Sequence, residues 1–158
     1  MPKTEGTIRH LAFFLAALGR GRHIPSIAPK FLRQIVPVVN KPPAGVETKM
    51  RVGYFMGCMT DFVFVDVGKH IIDFLTRHGV EVVVPKEQGC CGAPVYLGAG
   101  DLDTGRKLAD TNVKAFADAN IDYVVCSCAT CTSAMKDYGN FWLIPRREKR
   151  FILGLTRN

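Results

Sequence analysis

Six cysteines are the residues of this chain whose type and grouping could do chemistry. Cys90 and Cys91 are adjacent, and Cys126, Cys128 and Cys131 crowd into six residues. A disulfide scaffold spreads its cysteines through loops, so this clustering suits metal ligation better. The step Cys128-Ala129-Thr130-Cys131 lets two sulfurs point at one centre. A helix opening beside it adds a positive dipole end, which favours thiolate. Vicinal cysteines such as Cys90 and Cys91 rarely hold one ion together, because their side chains diverge. They can serve two metals of a polynuclear centre, and several soft thiolates match iron. Cys58, Cys90, Cys91, Cys128 and Cys131 are therefore the candidate ligands of an iron–sulfur centre, with zinc as the alternative metal. Thiol–disulfide exchange by Cys128 and Cys131 is a third chemistry, but it leaves Cys58, Cys90 and Cys91 without a task. Cys126 falls inside an apolar run, where free cysteine packs as a small hydrophobe. It is expected in the core. No residue is assigned a catalytic role.

These sulfurs need elements to bring them together. Met50 to Met56 reads as a buried strand, followed by a turn over Gly57-Cys58-Met59-Thr60-Asp61 in which Thr60 or Asp61 could cap a helix. Residues 62–78 fit that helix, with Phe64, Val67, Ile71, Phe74 and Leu75 at helical spacing and Gly79 as its stop. Val80 to Val84 reads as a second strand, and Gly89 to Pro94 as a loop. Asp101 or Asp103 starts a helix running to about Asn120, with Leu108, Val113, Phe116 and Ala117 inward. Ile121 to Cys126 is a third strand, and Thr130 to Tyr138 a closing helix. This alternation predicts an α/β fold: a small parallel sheet with flanking helices, a Rossmann-like three-layer module. All carboxyl ends of such a sheet lie on one edge, and each cysteine group follows a strand. The topology thus predicts one site built from three loops.

The rest of the chain bounds the function. Its 158 residues are 47% apolar, enough for one core without metal or disulfide staples. The net charge of +7 is uneven: residues 1–51 carry +7, residues 52–140 carry −4 and residues 141–158 carry +4. No aromatic interleaving or finger pattern accompanies the basic ends, so nucleic acid is not an expected partner. The apolar run Leu11 to Leu18 is too short to span a bilayer and has no small-x-small cleavage pattern after it. Free thiols fit a reducing cytoplasm. No G-x-G-x-x-G follows the first strand, so hydride chemistry on a nucleotide belongs elsewhere. Lys86 and Arg106 read as solvated surface, and His78 as a charge at a helix end. An amphipathic helix over residues 5–20, a short helix from Pro29 to Val36 and a Pro-rich linker from Val36 to Gly45 divide the chain into three parts. These are an extension over 1–49, a cysteine-rich domain over 50–139 and a basic tail over 140–158.

Thirty-one residues separate Cys58 from Cys90-Cys91-Gly92, and 35 more separate Gly92 from Cys128-x-x-Cys131. This pattern, with the local runs Gly89-Cys90-Cys91-Gly92-Ala93-Pro94 and Gly98-Ala99-Gly100-Asp101, resembles the cysteine-rich CCG domain. That domain occurs in heterodisulfide reductase subunits and in the iron–sulfur subunits of glycolate or lactate oxidases. The resemblance covers residues 50–139. It implies that the five matched cysteines ligate a 4Fe–4S or non-cubane cluster, with zinc in some relatives. It also implies an electron-transfer role beside a flavin-dependent dehydrogenase or other redox subunit and a ferredoxin-type subunit. Apart from the resemblance, the basic ends and the apolar face of the first helix suit docking, whether as peripheral membrane association through a partner or as self-association. The family usually carries two CCG domains, often with a ferredoxin domain upstream. Here there is one CCG pattern and no ferredoxin cysteine run, and the tail after Gly139 departs from the family's continuation. The chain is therefore expected to be a portion of a larger subunit or the product of a split gene.

Overall fold

Regular structure begins where apolar side chains alternate with polar ones. The computed structural model describes residues 26–117 and 119–141, so the helix expected over 5–20 and the tail from 142 onward lie outside the described residues. In chain order the elements are α1 (Leu32–Ile35), β1 (Val39–Asn40), β2 (Met50–Phe55), α2 (Gly57–Phe62), α3 (Val65–Arg77) and β3 (Val80–Val83). A single π-helical turn (Pro94–Gly98), α4 (Leu102–Ala117), β4 (Tyr123–Cys126) and α5 (Ala129–Phe141) follow. The sheet order is β1-β3-β2-β4. β2 lies parallel to both β3 and β4, with Val52 opposite Val82 on one side and Phe55 opposite Cys126 on the other. The parallel core matches expectation.

The sheet is mixed rather than wholly parallel, because the Pro-rich stretch read as a linker supplies β1. Val39 and Asn40 pair antiparallel with Val83 and Val82, and the Asn40 amide donates to the Pro37 and Val82 carbonyls. Two residues between prolines can still add to an edge, where ladder donors on the outer side are not needed.

Period-two alternation divides the strands between two cores. Val52, Tyr54, Met56, Val82 and Val84 face Leu32, Val65 and Ile72 of α1 and α3. Phe55, Val83 and Val124 face Phe116, Ala134, Met135 and Tyr138 of α4 and α5. The sheet is thus sandwiched between two helical layers. Gly53 keeps the second layer close, since a Cβ there would stand 2.6 Å from Ile121 Cδ1 and 2.7 Å from Phe116 Cδ1.

Four local expectations are corrected. Residues 57–61 form the helix α2 instead of a turn; Gly57, at φ +68°, supplies the change of direction as the chain leaves β2. Thr60 and Asp61 do not cap α3, whose N-terminal residue Phe64 makes no side-chain cap. Asp61 is fully buried inside α2 and accepts from the Arg33 backbone N–H at 2.9 Å and from Arg33 Nε at 2.5 Å. The stripe Phe64, Val67 and Phe74 of α3 faces outward, with Phe74 61% exposed. The helix buries Val65, Gly68, Ile72 and Thr76 instead. Gly68 turns that face inward because Leu32 is pressed against it: a Cβ on Gly68 would meet Leu32 Cδ2 at 2.3 Å. On α4, Ala117 is exposed, while Gly105, Ala109, Asn112 and Phe116 point inward. Its start is as expected, with Asp101 Oδ1 accepting the Thr104 N–H at 3.0 Å.

Candidate metal centre

Parallel pairing of β3 and β4 with the central β2 brings three loops to one edge. Cys58 is the second residue of α2, directly after β2. Cys90 and Cys91 lie in the loop after β3, and Cys126 ends β4. Cys128 precedes α5, and Cys131 sits in its first turn, where the Cys128 carbonyl accepts from Thr132 N at 2.9 Å. Cys91 and Cys131 are buried, and the other four cysteines are half-buried.

The loops are tied by polar side chains that the cysteine spacing does not reveal. Gln88, 1% exposed, donates to the Tyr54 and Pro85 carbonyls and accepts the Met56 N–H at 2.9 Å, which locks the end of β2 to the loop after β3. Asn112 of α4 accepts the Gly89 N–H at 2.8 Å and donates to the Cys90 carbonyl at 2.9 Å and to Tyr138 Oη at 3.2 Å. Tyr138 of α5 in turn donates to the Cys91 carbonyl at 2.8 Å. Both carbonyls of the vicinal pair are thereby fixed from the helices behind them. The Ser127 hydroxyl bonds Tyr54 Oη at 3.0 Å and Thr60 Oγ1 at 3.3 Å, joining the loops after β2 and β4. Burial raises the pKa values of Tyr54 and Tyr138, which keeps both phenols protonated.

The sulfurs form one connected network. The Cys58 thiol meets Cys90. Cys91 meets both Cys90 and Cys131. Cys131 also meets Cys126 and Cys128. Cys131 is the shared donor, so its own pKa is pushed well above the usual thiol range, first by its bond to Cys126 and then by its bond to Cys91. The same bonds hold Cys91 down at about 6, against the opposing effect of burial, and Cys126 at about 7. Burial raises Cys90. Backbone donors also reach sulfur: Gly92 N–H to Cys90 Sγ at 3.4 Å and Cys128 N–H to Cys126 Sγ at 3.4 Å. Gly57 leaves room for the network, since a Cβ there would stand 3.1 Å from Cys131 Sγ.

All five sequence-chosen cysteines thus lie on one sheet edge. Cys126, expected in the core, touches that core but turns its sulfur to Cys131 and Cys128. Lys86 is not turned toward solvent alone: its ammonium donates to the Arg33 and Val36 carbonyls, and burial lowers its pKa. Arg106 pairs with Asp103 at 3.8 Å on the surface of α4. Among the described residues no three His, Cys, Asp or Glu side chains are gathered as a single metal ion requires. A polynuclear cluster asks for something else: several soft sulfurs along one loop edge, with backbone N–H groups directed at them. The thiol network has that donor chemistry.

The model of a family described as the CCG cysteine-rich domain matches residues 52–136. The chain belongs to that family. An iron–sulfur protein of Methanococcus maripaludis named as uncharacterized is 36% identical over 143 residues, 90% of this chain and 26% of that protein. The lactate utilization protein A of Oceanobacillus iheyensis is 42% identical over 89 residues, 56% of this chain and 35% of that protein. The probable glycolate oxidase iron–sulfur subunit of Bacillus subtilis is 32% identical over 110 residues, 70% of this chain and 22% of that protein. The chain therefore spans between about a fifth and a third of the length of these relatives. No solved structure matches it. Among the described residues no helix is long and apolar enough to cross a membrane.

Proposed function

We propose that this chain is an iron–sulfur electron-transfer piece of a cytoplasmic oxidoreductase of the glycolate/lactate oxidase or heterodisulfide reductase type. Cys58, Cys90, Cys91, Cys128 and Cys131 would hold the cluster, which supplies one-electron transfer when bound. The observation that carries this reading is the thiol network on one sheet edge. In it the vicinal cysteines reach different outer partners, Cys90 toward Cys58 and Cys91 toward Cys131. That division suits a centre with several irons better than one zinc ion. The names of the relatives agree, since each of the three contains an iron–sulfur or lactate-utilization description.

The protein's own part is positioning and charge. Asn112 and Tyr138 fix the backbone that carries Cys90 and Cys91. The N–H of Gly92 stabilises negative charge on Cys90 Sγ. The sheet and the α4–α5 layer keep water from Cys91 and Cys131. Electrons would enter from a flavin-dependent dehydrogenase or leave to another redox subunit, with a ferredoxin-type subunit between them.

Anaerobic purification tests the reading directly. The expected product is brown and contains iron and acid-labile sulfide in similar amounts. A colourless protein that holds only zinc after anaerobic reconstitution with iron and sulfide rejects it. Cys91→Ser and Cys131→Ser are each expected to abolish or remodel the centre, read as lost iron or an altered paramagnetic resonance spectrum.

A further inference from the structure

We propose that Cys126 is a sixth sulfur ligand of the centre. This rests on the iron–sulfur reading above and extends its ligand set. The pleat of β4 puts Val124 and Cys126 on the α5 side of the sheet, with Val125 on the other. That is the side on which Cys91 and Cys131 lie. A cysteine that merely filled this layer would be enclosed by apolar groups. Cys126 is instead half-buried, with its sulfur against the Cys128 backbone and beside the Cys131 thiol.

The local backbone treats Cys126 as it treats a ligand. Its Sγ accepts the N–H two residues ahead, from Cys128, at 3.4 Å. Cys90, one of the five cysteines of the motif, accepts the N–H two residues ahead, from Gly92, at the same 3.4 Å. Donation of an N–H to sulfur stabilises thiolate over thiol and tunes the metal it binds. Cys131 neighbours both Cys91 and Cys126, so a centre held by Cys91 and Cys131 would lie beside Cys126 as well. Ligation breaks the Cys126 S–H bond, forms an iron–sulfur bond and releases the proton to solvent, with no change of oxidation state.

The test uses the full chain loaded anaerobically with iron and sulfide. Loaded wild type is treated with iodoacetamide, and the modified cysteines are mapped by mass spectrometry before and after a chelator removes the iron. Cys126 is expected to stay unmodified until the iron is removed. Cys126→Val fills the same space at the strand end, and Cys126→Ser keeps the size. Both are expected to bind less iron than wild type and to change its paramagnetic resonance spectrum, while the far-ultraviolet circular dichroism stays native. Alkylation of Cys126 with iron content and spectrum intact would overturn the proposal, even if both variants failed to fold. So would native iron, sulfide and spectrum in both variants. Wild type that takes up no iron rejects the underlying reading itself, which separates the two failures.

Discussion

Asn112 is a polar residue in the buried row of α4, between Ala109 and Phe116, and its amide closes bonds to Gly89, Cys90 and Tyr138 at once. Asn112→Ala would strand the Gly89 N–H and the Cys90 carbonyl. Each buried group left unpaired costs about 1–3 kcal/mol. We expect the variant to lose about 2–3 kcal/mol in urea unfolding of the metal-free chain. We also expect a loaded spectrum altered as though a ligand loop had moved. A native spectrum would mean that the vicinal pair holds its place without the amide. A polar side chain in an inward helical row is visible in a sequence, yet its partners are not, because they lie in a loop and on another helix. The five motif cysteines were legible for the opposite reason: their spacing, together with one strand before each group, leaves few ways to arrange them. Cys126 was not, since a cysteine after Val124 and Val125 looks the same whether its sulfur faces apolar atoms or other thiols.

At the scale of elements, the helix over α3 was readable but its orientation was not. Two rows recur at helical spacing, one of Phe64, Val67 and Phe74 and one of Val65, Gly68, Ile72 and Thr76, with Ile71 and Leu75 packing half-buried against the core as expected. Hydropathy favours the first; packing selects the second, because α1 lies so near that the position opposite Leu32 must be glycine, Gly68. Thr76 is tolerated inside because its hydroxyl returns to the Ile72 and Asp73 carbonyls of its own helix. Leu32 is fully buried although it precedes the segment that the family model matches. Leu32→Ala is expected to cost about 2–5 kcal/mol, the range for emptying a well-packed core site. Chemical denaturation followed by circular dichroism measures this, and a loss below about 1 kcal/mol would show that the cavity collapses at little cost. The Pro-rich stretch hid β1 because a two-residue edge strand has no periodicity to detect. The three parallel strands, each a clear apolar run, carried the fold class.

For the molecule as a whole, the expected behaviour is that of a carrier needing partners. The chain alone should show no turnover of lactate, glycolate or a thiol–disulfide pair with a dye acceptor under anaerobic conditions. It has no nucleotide fingerprint with which to begin hydride chemistry. Measurable turnover without added protein would refute this. The strand order has a consequence of another kind. β2 stands at the centre, and its neighbour on one side, β4, is the last of the described strands to be made. A chain emerging from the ribosome presents Cys58, Cys90 and Cys91 long before Cys126, Cys128 and Cys131 exist to complete their surroundings. Those first thiols therefore lack their partners across the sheet edge until β4 docks. Between the making of β3 and of β4, the first three thiols are at their least enclosed.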